Sequence, residues 1–550
     1  MSHIYKQQIL EKKYQMNTSP TNNYLIDEQD SDIEAIVNDV KNANEQWRKD
    51  ANARINQYRK ATMTIKVVNA NDEPIEGANV SVKLDKHAFA YGVAVREADM
   101  LEDNGFIEKY VDAIPYFGNR FGFNNVLKYK IAQYPKILAR AKKAVQWFET
   151  AKLTLRGHCL IWPSGNTKVI LPEDKSGLPE ELQQEGINTN LQELVYGRLD
   201  EGQEINSKTP HRNPKDVSDE EKTLIKKLCE YQVSSWAKEW KVTDWDVANE
   251  VRGKHQIQSI CGDDVLIQWF EIAKDCAKQQ DGTESRRYLN ENRIVSAPDK
   301  DSSHRDKDYQ DREEVEDYLQ NVYQGAYTVH FYKRYVEPYR DQVVQLLLAS
   351  RGEGDSPLLS GLGLQSRFQY KPNPETVWHR LSGLMEDLRM QVNANLTPEQ
   401  QLASVEELQE KYGPLSIAAT EHEIRGLNED DRASITEQIV TLYFSCPYVD
   451  QFIAWYFFAP STAAKDDPLG HHGLLWADGT LKKNGKIWLW LWNQHWTTNE
   501  GGETTNEGKF EIDQAFFGTY KIEVNYNGQA AEPAEVEFLQ GGENEFTIKV

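Results

Sequence analysis

The sequence predicts an α/β fold: a (β/α)₈ TIM barrel carrying a small β-sandwich-like module built from its N- and C-terminal flanking strands. Three observations predict it. Between about 88 and 495, eight short apolar runs alternate with stretches of helical periodicity, the pattern of repeated βα units. At both ends the period changes to the strict alternation of half-buried strands. The chain has 550 residues, too many for one ordinary core but compatible with one large barrel and appendages.

Residues 1–61 are polar and charged. Ile33, Ile36, Val37, Val40, Trp47 and Ile55 fall at roughly helical spacing, so a polar leader followed by one amphipathic helix is expected. Residues 62–88 read as strand–turn–strand: MTIKVV and NVSVKL flank NANDEPIEGA, which has turn chemistry. The barrel is expected over 89–495. Its strands are Phe89–Val95, Asn119–Asn124, Leu153–Cys159, Val242–Ala248, Arg287–Asn290, Leu359–Gln365, Leu415–Thr420 and Gln451–Phe457. Two stretches near 163–218 and 297–316 are too polar for the repeat and are expected to be surface insertions. Residues 496–550 contain KFEI, GTYKIEVNY, AEVEFL and EFTIKV between Gly-, Asn- and Pro-containing turns, a second β piece expected to pair with the first.

Composition excludes several classes. Asp and Glu outnumber Lys and Arg to give a net charge of −23, which repels phosphate backbones and anionic lipid, so neither nucleic acid nor membrane is an expected partner. Aromatics at 11% and hydrophobics at 39% suffice for a core, against global disorder. No run approaches the ~18 apolar residues of a membrane helix. MSHIYKQQILEKKYQ has no apolar segment of a secretory signal, which leaves the compartment open. The five cysteines are scattered without CxxC spacing, so neither a disulfide framework nor a zinc site is expected. His471-His472 lacks an acidic ligand pattern and reads as a loop; no metal is expected there. Trp488, Trp490, Trp492 and Trp496 could form a sugar platform, but at that spacing they fit an element packed on the barrel.

Several expected strands end in polar residues: Arg156-Gly157-His158, Asn249-Glu250, Gln365 and Glu421. The carboxyl-terminal rim of a barrel gathers such residues into one cleft. Two carboxylates there, Glu250 and Glu421, suit glycosidic bond cleavage, in which one donates a proton and the other attacks carbon or activates water.

The runs TDWDVANE (243–250), LRGHCLIW (155–162), LSGLGLQS (359–366) and AATEHEI (418–424) resemble glycoside hydrolase family 10, the retaining endo-β-1,4-xylanases. FNNVLKY (123–129), YLNENRI (288–294) and FIAWYFF (452–458) are further echoes, and the resemblance covers 89–495. It implies Glu250 as acid/base, Glu421 as nucleophile and a double displacement on xylan, with the carboxyl groups ~5–5.5 Å apart. It also implies that Asn125, Lys128, His158, Trp162, Asn249, Gln365 and Trp455 hold sugar, and that no cofactor takes part. Family members are often secreted. The chain departs from the family pattern at Asn124, Tyr129, Pro163, His422 and Glu423, and Phe458 stands in for a second tryptophan. Arg367 replaces a histidine that normally bonds the nucleophile, so contact between Arg367 and Glu421 is expected. These departures keep open a carbohydrate-binding protein with a decayed barrel, and a retaining enzyme acting on another β-glycan. Oligomeric state is left open.

Overall fold

A computed structural model describes residues 24–101, 107–198, 205, 209–298, 309–350, 356–459 and 472–550. The expected leader before residue 24 lies outside them. The following amphipathic segment is two helices rather than one, Glu34–Asn42 and Gln46–Tyr58, because Ala43 takes a left-handed conformation and ends the first. Both dock on the barrel. The Arg48 guanidinium bonds the buried Glu437 carboxylate, and Arg59 donates to the Phe444, Cys446 and Val449 carbonyls at 2.6–2.7 Å.

Two strands follow, β1 (Lys60–Val68) and β2 (Asn79–His87). The barrel strands are β3 (Ala90–Val95), β4 (Arg120–Phe123), β5 (Thr154–Ile161), β6 (Asp244–Asn249), β7 (Arg286–Glu291), β8 (Gly361–Leu364), β10 (Ser416–Ile424) and β11 (Val449–Ala454), with a two-residue β9 (Arg367–Phe368) on the rim. The order is β3-β4-β5-β6-β7-β8-β10-β11, every pairing is parallel, and β11 returns to β3, so the barrel is closed. Close approach at Gly157 helps it close: a Cβ there would lie 2.3 Å from the Trp245 ring on the neighbouring strand. β10 runs past the expected end at Thr420 to Ile424 because Glu423 and Ile424 pair with Arg367 and Phe368 of β9.

The C-terminal strands are β12 (Asn499–Glu503), β13 (Lys509–Phe516), β14 (Gly518–Tyr526), β15 (Gln529–Ala530), β16 (Ala534–Phe538) and β17 (Glu545–Lys549). β1 lies between β13 and β17 in one sheet, and β2 between β12 and β14 in a second. Met63, Ile65 and Val67 from the first sheet and Val80, Val82 and Ile522 from the second share one core. The two ends of the chain therefore make one module, since β13 and β17 are joined only through β1, and β12 and β14 only through β2.

The first polar stretch is anchored rather than merely superficial: Leu182, Leu191, Leu194 and Val195 from two short helices are buried. In the second, residues 299–308 lie outside the described set, and Arg312 already opens a helix to Tyr323, so the insertion ends earlier than 316. No helix among the described residues is long and apolar enough to cross a membrane.

The tryptophan run is interior. Trp488 and Trp490 are fully buried, and Trp492 stacks on Tyr91 at 4.1 Å and on Phe89 at 5.5 Å. A sugar platform is thereby excluded for these rings. Trp492→Ala is expected to lower stability by about 3–5 kcal/mol, as a large cavity opens between barrel and module. Chemical unfolding followed by fluorescence and circular dichroism checks this.

Candidate active site

The carboxyl ends of the barrel strands converge on Glu421. It sits in the middle of β10, 2% exposed. Its Oε1 accepts from Asn290 Nδ2 at 2.8 Å and lies 3.8 Å from His158 Nε2; its Oε2 is bonded by the Arg367 guanidinium. Burial would raise this carboxyl, but Arg367, His158 and Lys128 outweigh it and hold Glu421 at about 2. Glu421 is thus ionised at any ordinary pH.

His158 is oriented from below. Its Nδ1 lies 2.7 Å from Asp246 Oδ2, and Arg156 bonds the other oxygen of Asp246 at 2.6 Å. The His158 ring meets the Trp455 ring edge-on at 5.2 Å. Lys128 lies 5.3 Å from the Trp162 ring and 5.8 Å from Trp455, and its Nζ donates to Asn125 at 3.0 Å. The Arg367 guanidinium lies 5.0 Å from the Trp455 ring. Arg367 also reaches Glu423 at 3.3 Å, where Arg425 and the His472 imidazole add further partners.

Glu250 is placed differently. It follows the last residue of β6, half-buried, in the left-handed region at φ 55°. A non-glycine residue rarely sits there without support. That support is local: its N–H donates to the Asn290 carbonyl at 2.8 Å, and its own carbonyl accepts from Gly253 and Lys254. Its Oε1 accepts from Gln365 Nε2 at 3.0 Å, and among the described residues it has no ion pair.

The structure therefore brings together all ten residues named from the sequence. Lys128, Asn125, Trp162, His158, Trp455, Arg367 and Glu421 form one contact chain, and Gln365 holds Glu250. Asn249 joins the two halves: its carboxamide oxygen accepts at 2.9 Å from the same Asn290 nitrogen that bonds Glu421. Tyr129, one of the departures from the family pattern, is core, its ring against Trp236 and its hydroxyl accepting from the Ile170 N–H at 3.1 Å. Phe458 is also core, packed on Tyr110 at 4.4 Å, and does not stand in for a second cleft tryptophan. His472 of the double histidine serves Glu423 and stacks on Tyr456 at 4.7 Å, and among the described residues no cluster of metal-ligating side chains is present.

Sequence reasoning missed Asn290 and Glu291. Asn290 is fully buried and bonds Asn249, Thr420 and Glu421 at 2.6–2.9 Å. Glu291, also fully buried, accepts from the N–H groups of Arg252 and Asn292 at 3.0 and 2.8 Å and so clamps the turn that follows Glu250. Burial pushes its carboxyl up to about 7 against the pull of Arg252. The signal was present: YLNENRI ends an apolar strand with two polar residues.

No family model matches the chain. Among curated proteins, the anti-sigma-I factor RsgI6 of Acetivibrio thermocellus is 31% identical over 119 residues, 21% of this chain; the match spans only 15% of that protein's length. Solved structures similar to this chain include a GH10 endoxylanase from a sugarcane soil metagenome, at 14% identity and TM-score 0.42 over 73% of this chain and 96% of the other. Xylanase 10B of Thermotoga maritima is 15% identical, with TM-score 0.42 over 73% and 95%. A thermostable mutant of xylanase Xyn10A from Cellvibrio japonicus is 13% identical, with TM-score 0.43 over 73% and 96%. The strand order and the ring closure, independent of these overlaps, make the chain a (β/α)₈ barrel with a two-sheet module of its own terminal strands.

Proposed function

We propose that the chain is a retaining β-glycosidase of the endo-1,4-β-xylanase type. One observation carries this reading: two carboxylates on the barrel rim, Glu250 after β6 and Glu421 in β10, are linked through Asn249 and Asn290 of the strands β6 and β7 and sit in opposite electrostatic settings. Glu421 is buried among cations, whereas Glu250 is half-buried and meets one neutral amide. Pairs of acids in unlike environments take unlike roles.

Glu421, kept ionised, attacks the anomeric carbon as the bond from that carbon to the leaving oxygen breaks. Glu250 gives its proton to that oxygen. Water then enters, loses a proton to Glu250, and its oxygen displaces Glu421 from the same carbon. Gln365 occupies only one oxygen of Glu250, which leaves Oε2 to carry the proton. Trp455 and Trp162 offer ring faces to a sugar, and Asn125 and Lys128 offer polar groups to its hydroxyls. No cofactor enters this chemistry.

The test is purified full chain on a panel of xylan, mixed-linkage glucan and other β-1,4-glycans, with products sized and the first-formed anomer read by proton NMR. The expected result is β-anomer from a xylan-type substrate. First-formed α-anomer overturns the retaining assignment.

A second reading is favoured by the Arg367 contact: a carbohydrate-binding protein whose nucleophile is tied down. Tight binding across that panel without turnover supports it, and any turnover removes it.

A further inference from the structure

In a chain of net charge −23, one part of the barrel rim is crowded with cations. Arg252 follows Glu250 by two residues, Arg293 follows the end of β7, and Arg334 lies on the helix that faces them. All three surround one tyrosine. The Tyr335 ring has the Arg252 guanidinium at 4.4 Å and those of Arg293 and Arg334 at 5.4 Å each, and the Tyr335 hydroxyl accepts from Arg293 at 3.0 Å. Three like charges around one ring repel one another, and the pKa of Arg252 is lowered, by burial first and then by Arg293 and Arg334.

Arg252 is partly answered by buried Glu291 at 3.7 Å. Arg293 and Arg334 are exposed, and among the described residues neither forms an ion pair. Arg293 is held at φ 61°, a conformation that a non-glycine side chain seldom adopts. The arrangement is thus fixed by backbone and ring, with the Arg293 and Arg334 guanidinium groups open to solvent.

Position decides what the cluster faces. Asn125 and Lys128 lie in the segment after β4 and Trp162 follows β5, while the cluster lies beyond β6 and β7, on the far side of Glu250. A glycan threaded from the Lys128 side past Glu250 meets the cluster with its leaving portion. Guanidinium groups pair with carboxylates bidentately, and a tyrosine face takes a sugar ring.

We propose that Arg293, Arg334 and Tyr335 form a leaving-group-side subsite for a sugar that bears a carboxylate, so that the preferred substrate is a uronate-decorated β-1,4-glycan. This rests on the glycosidase reading above and names the substrate class of the same cleft.

The experiment uses Glu250→Gln full chain, which still binds but does not turn over, and calorimetric titration at low and at physiological ionic strength. The probes are a neutral β-1,4-xylo-oligosaccharide, the same oligosaccharide carrying one glucuronate, and tetragalacturonate. The decorated probe is expected to bind roughly tenfold tighter than the neutral one. Arg293→Gln/Arg334→Gln, introduced together, should abolish that preference and its salt dependence. Equal binding of decorated and neutral probes overturns the subsite and leaves the glycosidase reading standing. Tetragalacturonate binding as tightly as the decorated probe also overturns it, as a mere polyanion patch. If no probe binds, both readings fall. Circular dichroism of the double variant, whose two changed side chains are exposed, separates lost recognition from lost folding.

Discussion

Glu421→Ala is expected to lower kcat on xylan by roughly 10⁴-fold or more, because the variant has no group that can bond to the anomeric carbon. Glu250→Ala should lose as much on a natural glycan but behave differently on an aryl glycoside whose phenolate leaves without a proton. There the first step survives, the glycosyl-enzyme accumulates because nothing activates water, and a burst of phenolate precedes a slow steady state. Glu421→Ala shows no burst on the same compound. The two variants are thus separable by pre-steady-state release of the aryl group. Full activity in either one places the chemistry elsewhere on the rim. Stability is a control: Glu421→Gln keeps the Asn290 contact and should fold.

Arg367 carries the second large effect. Its guanidinium is the foremost of the groups that overcome burial and hold Glu421 at about 2, against an ordinary value of 4.5. Lowering the folded-state pKa adds stability that is fully present above pH 4.5 and is lost as pH falls toward about 2. Arg367→Ala leaves Glu421 buried with less compensation, so its carboxyl rises and that acid-side increment disappears. Removing one partner of a buried pair typically costs 3–5 kcal/mol; with the Arg367 side chain 23% exposed, a loss of roughly 3 kcal/mol is expected at neutral pH. Thermal unfolding between pH 3 and 8 checks the sign: the gap between wild type and variant should narrow as pH falls. Arg367→His keeps a donor but weakens the fixed charge, and the acidic limb of kcat/KM should move upward. An unmoved limb means that Arg367 does not set the ionisation of the group that limits the rate.

The eight barrel strands were legible because each is a short apolar run bounded by polar or turn residues. The last residues of β10 were not: the expected strand stops at Thr420, yet Glu421, His422 and Glu423 continue it and are buried, because Arg367 and Phe368 supply a partner strand that sequence spacing does not reveal. The pair of carboxylates was legible from strand-end position and from resemblance together. Asn290 was not singled out, since a buried asparagine acquires meaning only when Asn249, Thr420 and Glu421 are seen around it. The same holds for Arg252, Arg293 and Arg334, which come from three separate elements and meet only on Tyr335. Helical periodicity over 31–60 correctly marked the buried face but could not show the break at Ala43, where no glycine or proline announces it.

The terminal module has a kinetic side. The Ala78 N–H and the Thr504 hydroxyl that bonds it are 426 residues apart, so β2 leaves the ribosome long before β12 and β14 exist. At roughly 5–20 residues per second the wait is on the order of half a minute. For that interval β1 and β2 are edges without partners, exposed to other nascent chains. The charged residues of these strands, Lys60, Lys66, Lys83, Asp85 and Lys86, then act as guards against pairing with the wrong strand. The module closes last, and its closure marks a chain whose barrel has been synthesised in full.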